Sequence, residues 1–196
     1  IPEVQLLLEF IFNACGKLHS LLALLLPLAA AAAPARPPNV ILVLIDDLGW
    51  RDLGVQGSTF YETPQLDRFA RANVRFTDAY SPCHVCSPTR ASILTGKYPA
   101  RLQLTDWLPG RRDFPSQKFT NATPRPHLPY EEKSLAEALK ERGYTTGHFG
   151  KWHLGEEPSG PLQHGFDVQV PRWNKCCPNK GYHAPFGLEG LSDAPG

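Results

Sequence analysis

The feature that most constrains the fold is the continuous apolar run at residues 40–45, VILVLI, which is rich in β-branched side chains. Such a run is typical of a central strand covered on both faces, as in a parallel sheet flanked by helices. Asp46 and Asp47 follow the run directly, and Gly49 comes two residues later. Open α/β sheets bind ligands at the carboxyl ends of their strands, so we expect the two carboxylates to hold a hard divalent cation. A polar strand end or a helix N-cap is the alternative interpretation.

A second cluster of chemistry stands at Cys86, Pro88 and Arg90. Proline favours the first turn of a helix, which places Cys86 just before a helix N-terminus, where negative charge is stabilised. Arg90 lies within the next turn and can point back to the same place. A sulfur nucleophile, a helix N-terminus and a guanidinium together suit a tetrahedral anion such as sulfate or phosphate.

Local signals indicate further helices and strands along the chain. Thr63 and Pro64 predict the start of a helix, and the alternation at residues 74–77 predicts a short strand. Ser134 to Glu137 form a capping box, and the helix that it opens is expected to end near Gly143. Residues 144–149 are then the next strand, parallel to the first through a right-handed crossover.

Lys151 and His153 follow this second predicted strand. Because the carboxyl ends of parallel strands meet at one edge of a sheet, we expect both side chains to lie near the two aspartates. An ammonium and a histidine with a near-neutral pKa are the groups needed for anion binding and proton transfer. The plain alternative is a solvated strand end.

Three motifs resemble those of one family, the formylglycine-dependent sulfatases. They are C-x-P-x-R followed by L-T-G at residues 86–96, G-Y-x-T-x-x-x-G-K-W-H at residues 143–153, and D-D-L-G at residues 46–49. His84 and Phe149 are larger than the residues usual in that family. The resemblance implies an α/β fold, an alkaline-phosphatase-like sandwich with a mostly parallel central sheet flanked by helices, here truncated at the C-terminus.

The resemblance also implies a mechanism and a set of partners. A separate formylglycine-generating maturation enzyme would oxidise the cysteine, and the hydrated aldehyde would attack the sulfur of a sulfated carbohydrate or aryl sulfate. The metal would be Ca²⁺, or sometimes Mg²⁺, and the histidine would act as the base. The implied catalytic residues are Cys86, Arg90, Lys151 and His153, and the implied metal ligands are Asp46, Asp47 and Cys86.

Domain organisation divides the chain at residue 36. Residues 1–35 are interpreted as an upstream overrun plus a signal peptide, because residues 21–33 are apolar and small residues follow. A buried core helix is the alternative, and the run is too short for a stable membrane span. We therefore expect a secreted or periplasmic protein, lysosomal if from an animal. Residues 36–196 are expected to be the N-terminal part of a longer catalytic domain, inactive alone.

Charge and cysteine content leave some alternatives open. The net charge is +1, with 20 basic and 19 acidic residues and no basic run, so no nucleic-acid partner is expected. Cys83 and Cys86 form a C-x-x-C pair, which could bind zinc only with two more ligands, such as Cys176 and Cys177. A disulfide between Cys83 and either of these two cysteines stays open.

Two other interpretations of function stay open as well. One is a formylglycine-type phosphonate or phosphate monoester hydrolase, which shares the C-x-P-x-R motif; the other is a truncated, non-catalytic product. The long connection at residues 98–123 could line a sugar pocket through residues 104–107, Arg111 and Arg112, or could be solvated surface.

Overall fold

The computed structural model describes residues 37–178 and 180–192, so the prediction for residues 1–35 lies outside the described residues. The chain forms two units, one ending at Ile45 and the other beginning at Asp46. In the first unit, residues 37–45 have no regular secondary structure, and their side chains are exposed. The predicted central strand at residues 40–45 is therefore wrong. A strand of this type needs hydrogen-bonded neighbours on both edges, and the described residues of the unit contain none.

Four α-helices lie in the described residues of the second unit. They are α1, Pro64–Ala72; α2, Cys86–Thr95; α3, Pro99–Leu102; and α4, Leu135–Lys140. The predicted starts at Thr63 and Ser134 are confirmed. Ser134 and Glu137 form the full capping box, with the Glu137 amide donating to the Ser134 hydroxyl at 3.1 Å. Two short 3-10 helices, Gly54–Gln56 and Pro161–His164, complete the helical content of the described residues.

A parallel pair of strands follows α4 in the same unit. Strand β1, Gly147–Phe149, pairs with β2, Val168–Val170, with His148 opposite Gln169. The pair is parallel, as the predicted fold class requires, but the partner of β1 is β2 and not the 40–45 run, and β1 is shorter than the expected strand at residues 144–149. The strand predicted at residues 74–77 is wrong, because that segment is exposed and carries no ladder hydrogen bonds. Alternation alone does not supply the edge partner that a strand requires.

The hydrophobic core of the second unit is centred on Trp152. The ring is 1% exposed, and the indole N–H donates to the Ser159 carbonyl at 2.8 Å. Burying this indole fixes the backbone on both sides of it, so Lys151 and His153 are carried by a rigid segment. The other fully buried members of the cluster are Ala91, Leu102, Leu104, Leu128 and Leu154.

Within residues 37–178 and 180–192, no helix is long and apolar enough to cross a bilayer.

Candidate active site

Cys86 is the first residue of α2, after Val85 in extended conformation. The sequence placed it one position earlier, just before the helix. The Ser87 hydroxyl accepts a hydrogen bond from the Leu108 amide at 3.0 Å, and the Thr89 hydroxyl donates one to the Cys83 carbonyl at 2.8 Å. These bonds fix the first turn of α2 and the loop before it, so the Cys86 thiol has a defined position at a helix N-terminus.

Lys151, Arg90 and Asp46 form a charged cluster at this position. The Lys151 ammonium pairs with the Asp46 carboxylate, and Arg90 Nη2 lies 3.3 Å from the same oxygen. Arg90 Nη1 also donates to the Lys151 carbonyl at 2.6 Å. Two segments 61 residues apart in sequence are therefore joined by one guanidinium. These contacts bring Arg90, Lys151 and Asp46 together in one cluster.

The pKa values in the cluster favour the charged forms. Burial acts to raise the pKa of Asp46, but Lys151 and Arg90 outweigh it, and the net pKa is lowered. Burial acts to lower the pKa of Lys151, but Asp46 and the thiols of Cys86 and Cys176 outweigh it, and the net pKa is raised. Lys151 therefore stays an ammonium next to Cys86 at all ordinary pH values.

His153 lies beside this cluster with a constrained ring. The residue is 5% exposed and has a positive φ of 56°, an uncommon backbone conformation for a non-glycine residue. Its Nε2 lies 2.7 Å from the Leu108 carbonyl, which can only accept, so Nε2 carries the proton. Within the described part of the chain, Nδ1 is buried without a hydrogen-bond partner. Burial lowers the pKa of His153, which leaves a neutral ring with its lone pair at Nδ1.

The two aspartates fit a metal site only in part. Asp46 and Asp47 carry the oxygen ligands that Ca²⁺ and Mg²⁺ prefer, and Asp47 has a positive φ of 57° in the turn after Ile45. Among residues 37–178 and 180–192, however, no group of three or more acidic, histidine or cysteine side chains could hold a metal. Ca²⁺ takes about six to eight oxygen ligands, so these two carboxylates can be only part of a complete set.

Several residues at the site were missed by the sequence analysis. Burial, with the nearby Arg90 charge, lowers the pKa of His148 to about 4, and its ring interacts with the Lys151 backbone. The Asn174 carbonyl accepts the His153 amide at 3.0 Å, and the Leu108 carbonyl holds the His153 ring. No sequence signal pointed to His148, because it stands at an unspecified position of the G-Y-x-T-x-x-x-G-K-W-H motif. Which backbone carbonyl accepts a given hydrogen bond cannot be read from the sequence, because every residue has one.

The connection at residues 98–123 divides between core and surface. Leu104 is fully buried in the core, so its predicted place in a sugar pocket is wrong. Arg111 Nε lies 3.1 Å from Asp106, and Arg111 Nη2 lies 3.5 Å from His84 Nε2. Arg111 is thus near the Cys86 loop, whereas Arg112 is exposed.

Four thiols lie in the described part of the chain. Cys83, Cys86, Cys176 and Cys177 are all free, so the disulfide that the sequence left open is not formed.

Comparison with known proteins gives one consistent family. The profile of the Sulfatase family matches residues 38–193. Human arylsulfatase A is 45% identical over 166 residues, which cover 85% of this chain and 28% of that protein. Mouse N-acetylgalactosamine-6-sulfatase is 44% identical over 158 residues, which cover 79% of this chain and 29% of that protein.

A solved structure agrees with these relatives. The crystal structure of Ps i-CgsB matches with a TM-score of 0.56 and 37% identity, over 66% of this chain and 27% of that chain. The present chain thus spans about 28% of the length of human arylsulfatase A. Because the family profile covers most of the described residues and carries the site just described, the chain belongs to the sulfatase family.

Proposed function

We propose that this chain is the N-terminal part of a sulfatase that hydrolyses sulfate esters through a nucleophile made from Cys86. The observation that carries the proposal is the convergence of the Lys151 ammonium on the Cys86 thiol and Asp46, with Arg90 joined to the same carboxylate. Two cations at a helix N-terminus stabilise a monoanionic sulfate ester and the charge that develops on its oxygens as the S–O bond breaks. The family membership supplies the reaction class.

Binding of the sulfate group is assigned to Lys151 and Arg90. Lys151 acts as a compact point charge, whereas the guanidinium is held in place by the Lys151 carbonyl. In the described part of the chain, Arg90 Nε is buried without a hydrogen-bond partner. A buried donor of this kind gains free energy when a ligand oxygen accepts from it. Arg90 is therefore prepared to donate to the substrate or to the modified residue 86.

Proton transfer is assigned to His153. Its Nε2–H is committed to the Leu108 carbonyl, so Nδ1 is the ring nitrogen that can accept a proton, and we assign residue 86 as the donor of that proton. Burial and the Lys151 and Arg90 charges lower the pKa of His153 and keep Nδ1 unprotonated at neutral pH, while the Leu108 carbonyl and Asp46 only partly oppose them. This is the arrangement required of a base that returns the nucleophile to its resting state.

Two absent groups complete the proposal. Formylglycine made from Cys86 by a maturation enzyme supplies an oxygen nucleophile in place of sulfur. A divalent metal, Ca²⁺ or Mg²⁺, supplies charge stabilisation at the sulfate. Asp46 and Asp47 have the right oxygen ligands for it, together with residue 86 and ligands beyond the described residues.

Substrate and location are proposed from the relatives. The names arylsulfatase A and N-acetylgalactosamine-6-sulfatase point to aryl sulfates or sulfated carbohydrates as the substrate class for this chain. A secreted, periplasmic or lysosomal location fits the signal-like residues 1–35.

The test uses the longer protein that contains this chain, co-expressed with a maturation enzyme. We expect hydrolysis of an aryl sulfate, and a loss in kcat of about 10²-fold or more for Lys151→Ala. His153→Ala is expected to lose about 10²–10⁴-fold. The matched control Lys118→Ala, at an exposed position, is expected to stay near the parent rate.

Three results would contradict parts of the proposal. Parent-like kcat in Lys151→Ala would remove Lys151 from the site. Faster hydrolysis of an aryl phosphate or phosphonate than of the sulfate would move the chain to the other hydrolase class. Turnover by purified residues 36–196 alone would show that no later segment is needed to complete the site.

A further inference from the structure

Hydrogen bonds hold residues 172–178 against the candidate active site. The His153 amide donates to the Asn174 carbonyl at 3.0 Å, which ties this segment to the residue next to Trp152. The Asn174 side chain is itself fixed by Gln169 at 2.7 Å and Glu157 at 2.8 Å. Its relative exposure is 7%. The residue two positions later, Cys176, is therefore placed by a rigid anchor.

Cys176 and Cys177 present adjacent free thiols at this place. Their sulfurs lie 2.8 Å apart, and Cys176 interacts with the Lys151 ammonium. The Trp173 indole N–H donates to the Cys177 carbonyl at 2.9 Å and closes the short turn that brings the two side chains together. Cys176 is partly buried and Cys177 is exposed, so a small molecule can reach the pair from solvent.

We infer that Cys176 and Cys177 form a dithiol site that binds a trivalent organoarsenical next to Lys151. Neighbouring sulfurs that can reach one atom together are what a thiophilic As(III) centre requires. This inference does not depend on the proposed sulfatase activity, because it concerns free thiols that the mechanism does not use.

The binding reaction needs no oxidant. With phenylarsine oxide, each thiol forms one As–S bond, and the arsenic oxygen leaves as water with the two thiol protons. The order of attack follows from the contacts. The hydrogen bond from Cys176 lowers the pKa of the Cys177 thiol, whereas burial raises that of Cys176. Cys177 is therefore the thiol that attacks first, and Cys176 closes the ring.

Chelation by two thiols sets the expected difference in phenylarsine oxide affinity between the parent and the single-cysteine variants. Once one thiol has bound, the second reacts within the same molecule, and such linkage strengthens binding by about 10²–10⁴-fold. Cys176→Ser and Cys177→Ser should each lose at least about 10²-fold in affinity for phenylarsine oxide. Cys83→Ser is the matched control, because it removes a described thiol from the competing C-x-x-C pair and should leave the affinity unchanged.

The experiment titrates the reduced full chain with phenylarsine oxide and follows the adduct by intact mass and by the number of free thiols. We expect one tight adduct per chain, a loss of two thiols, and reversal by a dithiol but not by a monothiol. After tryptic digestion, the arsenic should be found on the peptide that contains both cysteines. Tight binding that survives Cys177→Ser, or that is lost with Cys83→Ser, would overturn the inference. Circular dichroism of each variant separates loss of the site from loss of folding.

Discussion

Replacing Arg90 by alanine tests the junction between α2 and the Lys151 segment. The guanidinium donates to the Lys151 carbonyl at 2.6 Å, and its side chain is 12% exposed. A hydrogen bond from a charged group contributes about 1.5–3 kcal/mol, and Arg90→Ala removes this one from the Lys151 carbonyl. The second contact, at 3.3 Å to an Asp46 carboxylate that is 31% exposed, adds only about 0.5 kcal/mol after solvent screening. Arg90→Ala should therefore lower the free energy of unfolding by about 2–3 kcal/mol.

Urea unfolding followed by tryptophan fluorescence measures this change, because Trp152 is buried in the adjoining core. Arg90→Lys should recover about half of the loss, since an ammonium keeps the charge but not the fork that reaches both partners. Arg112→Ala, at an exposed position in the 98–123 connection, should stay within about 0.5 kcal/mol of the parent. An Arg90→Ala protein as stable as the parent, or an Arg90→Lys protein fully equal to it, would refute the reasoning.

Three further predictions concern stability. Burial lowers the pKa of His148 from 6.5 to about 4. As the pH falls, the unfolded chain therefore takes up a proton that the folded chain excludes. The contribution of His148 to the free energy of unfolding should be full above pH 6.5 and should decline between pH 6.5 and about 4. That decline should shrink in His148→Gln when unfolding is measured across the pH range. Gly155→Ala should unfold more easily by about 2–4 kcal/mol, because φ is +131° and the added Cβ would lie 2.5 Å from the His127 Cβ. Gly143→Ala, at φ +81° with no described atom within 4 Å of the added Cβ, should cost only about 1–2 kcal/mol in the same urea titration. Ser134→Ala removes the cap and a buried 2.7 Å hydrogen bond to the His164 carbonyl, and thermal unfolding should report a loss of about 1–2 kcal/mol; an unchanged midpoint would contradict it.

The parts of the fold that were predictable are those fixed by local chemistry. Pro64 and the Ser134 capping box start helices wherever they occur next to an apolar stripe, and both starts are confirmed. The strand predicted at residues 40–45 was wrong because a strand depends on partners elsewhere in the chain and not on local chemistry. Its prediction assumed neighbouring strands, and a hydrophobic run cannot show whether the rest of the chain supplies them.

The candidate site was also only partly predictable from the sequence. The expectation that Lys151 lies near Asp46 rested on two strand ends, one of which does not form, and the place of Arg90 in the same cluster was implied by the resemblance to the sulfatases. The exclusion of water from His148, the Leu108 carbonyl that sets the His153 tautomer, and the approach of Cys176 to Lys151 depend on tertiary packing between distant segments. Nothing in the local sequence encodes those distances, so they were visible only in the folded chain.

The central claim is that residue 86 becomes the nucleophile of a sulfatase. The most direct measurement is the mass of the tryptic peptide at residues 76–90, from the protein co-expressed with a maturation enzyme and then alkylated. Cys83 in the same peptide is an internal control that should remain an alkylated cysteine. Residue 86 is expected to be lighter than cysteine, to resist alkylation and to react with an aldehyde probe. Two alkylated cysteines in that peptide, in the presence of an active maturation enzyme, would contradict it.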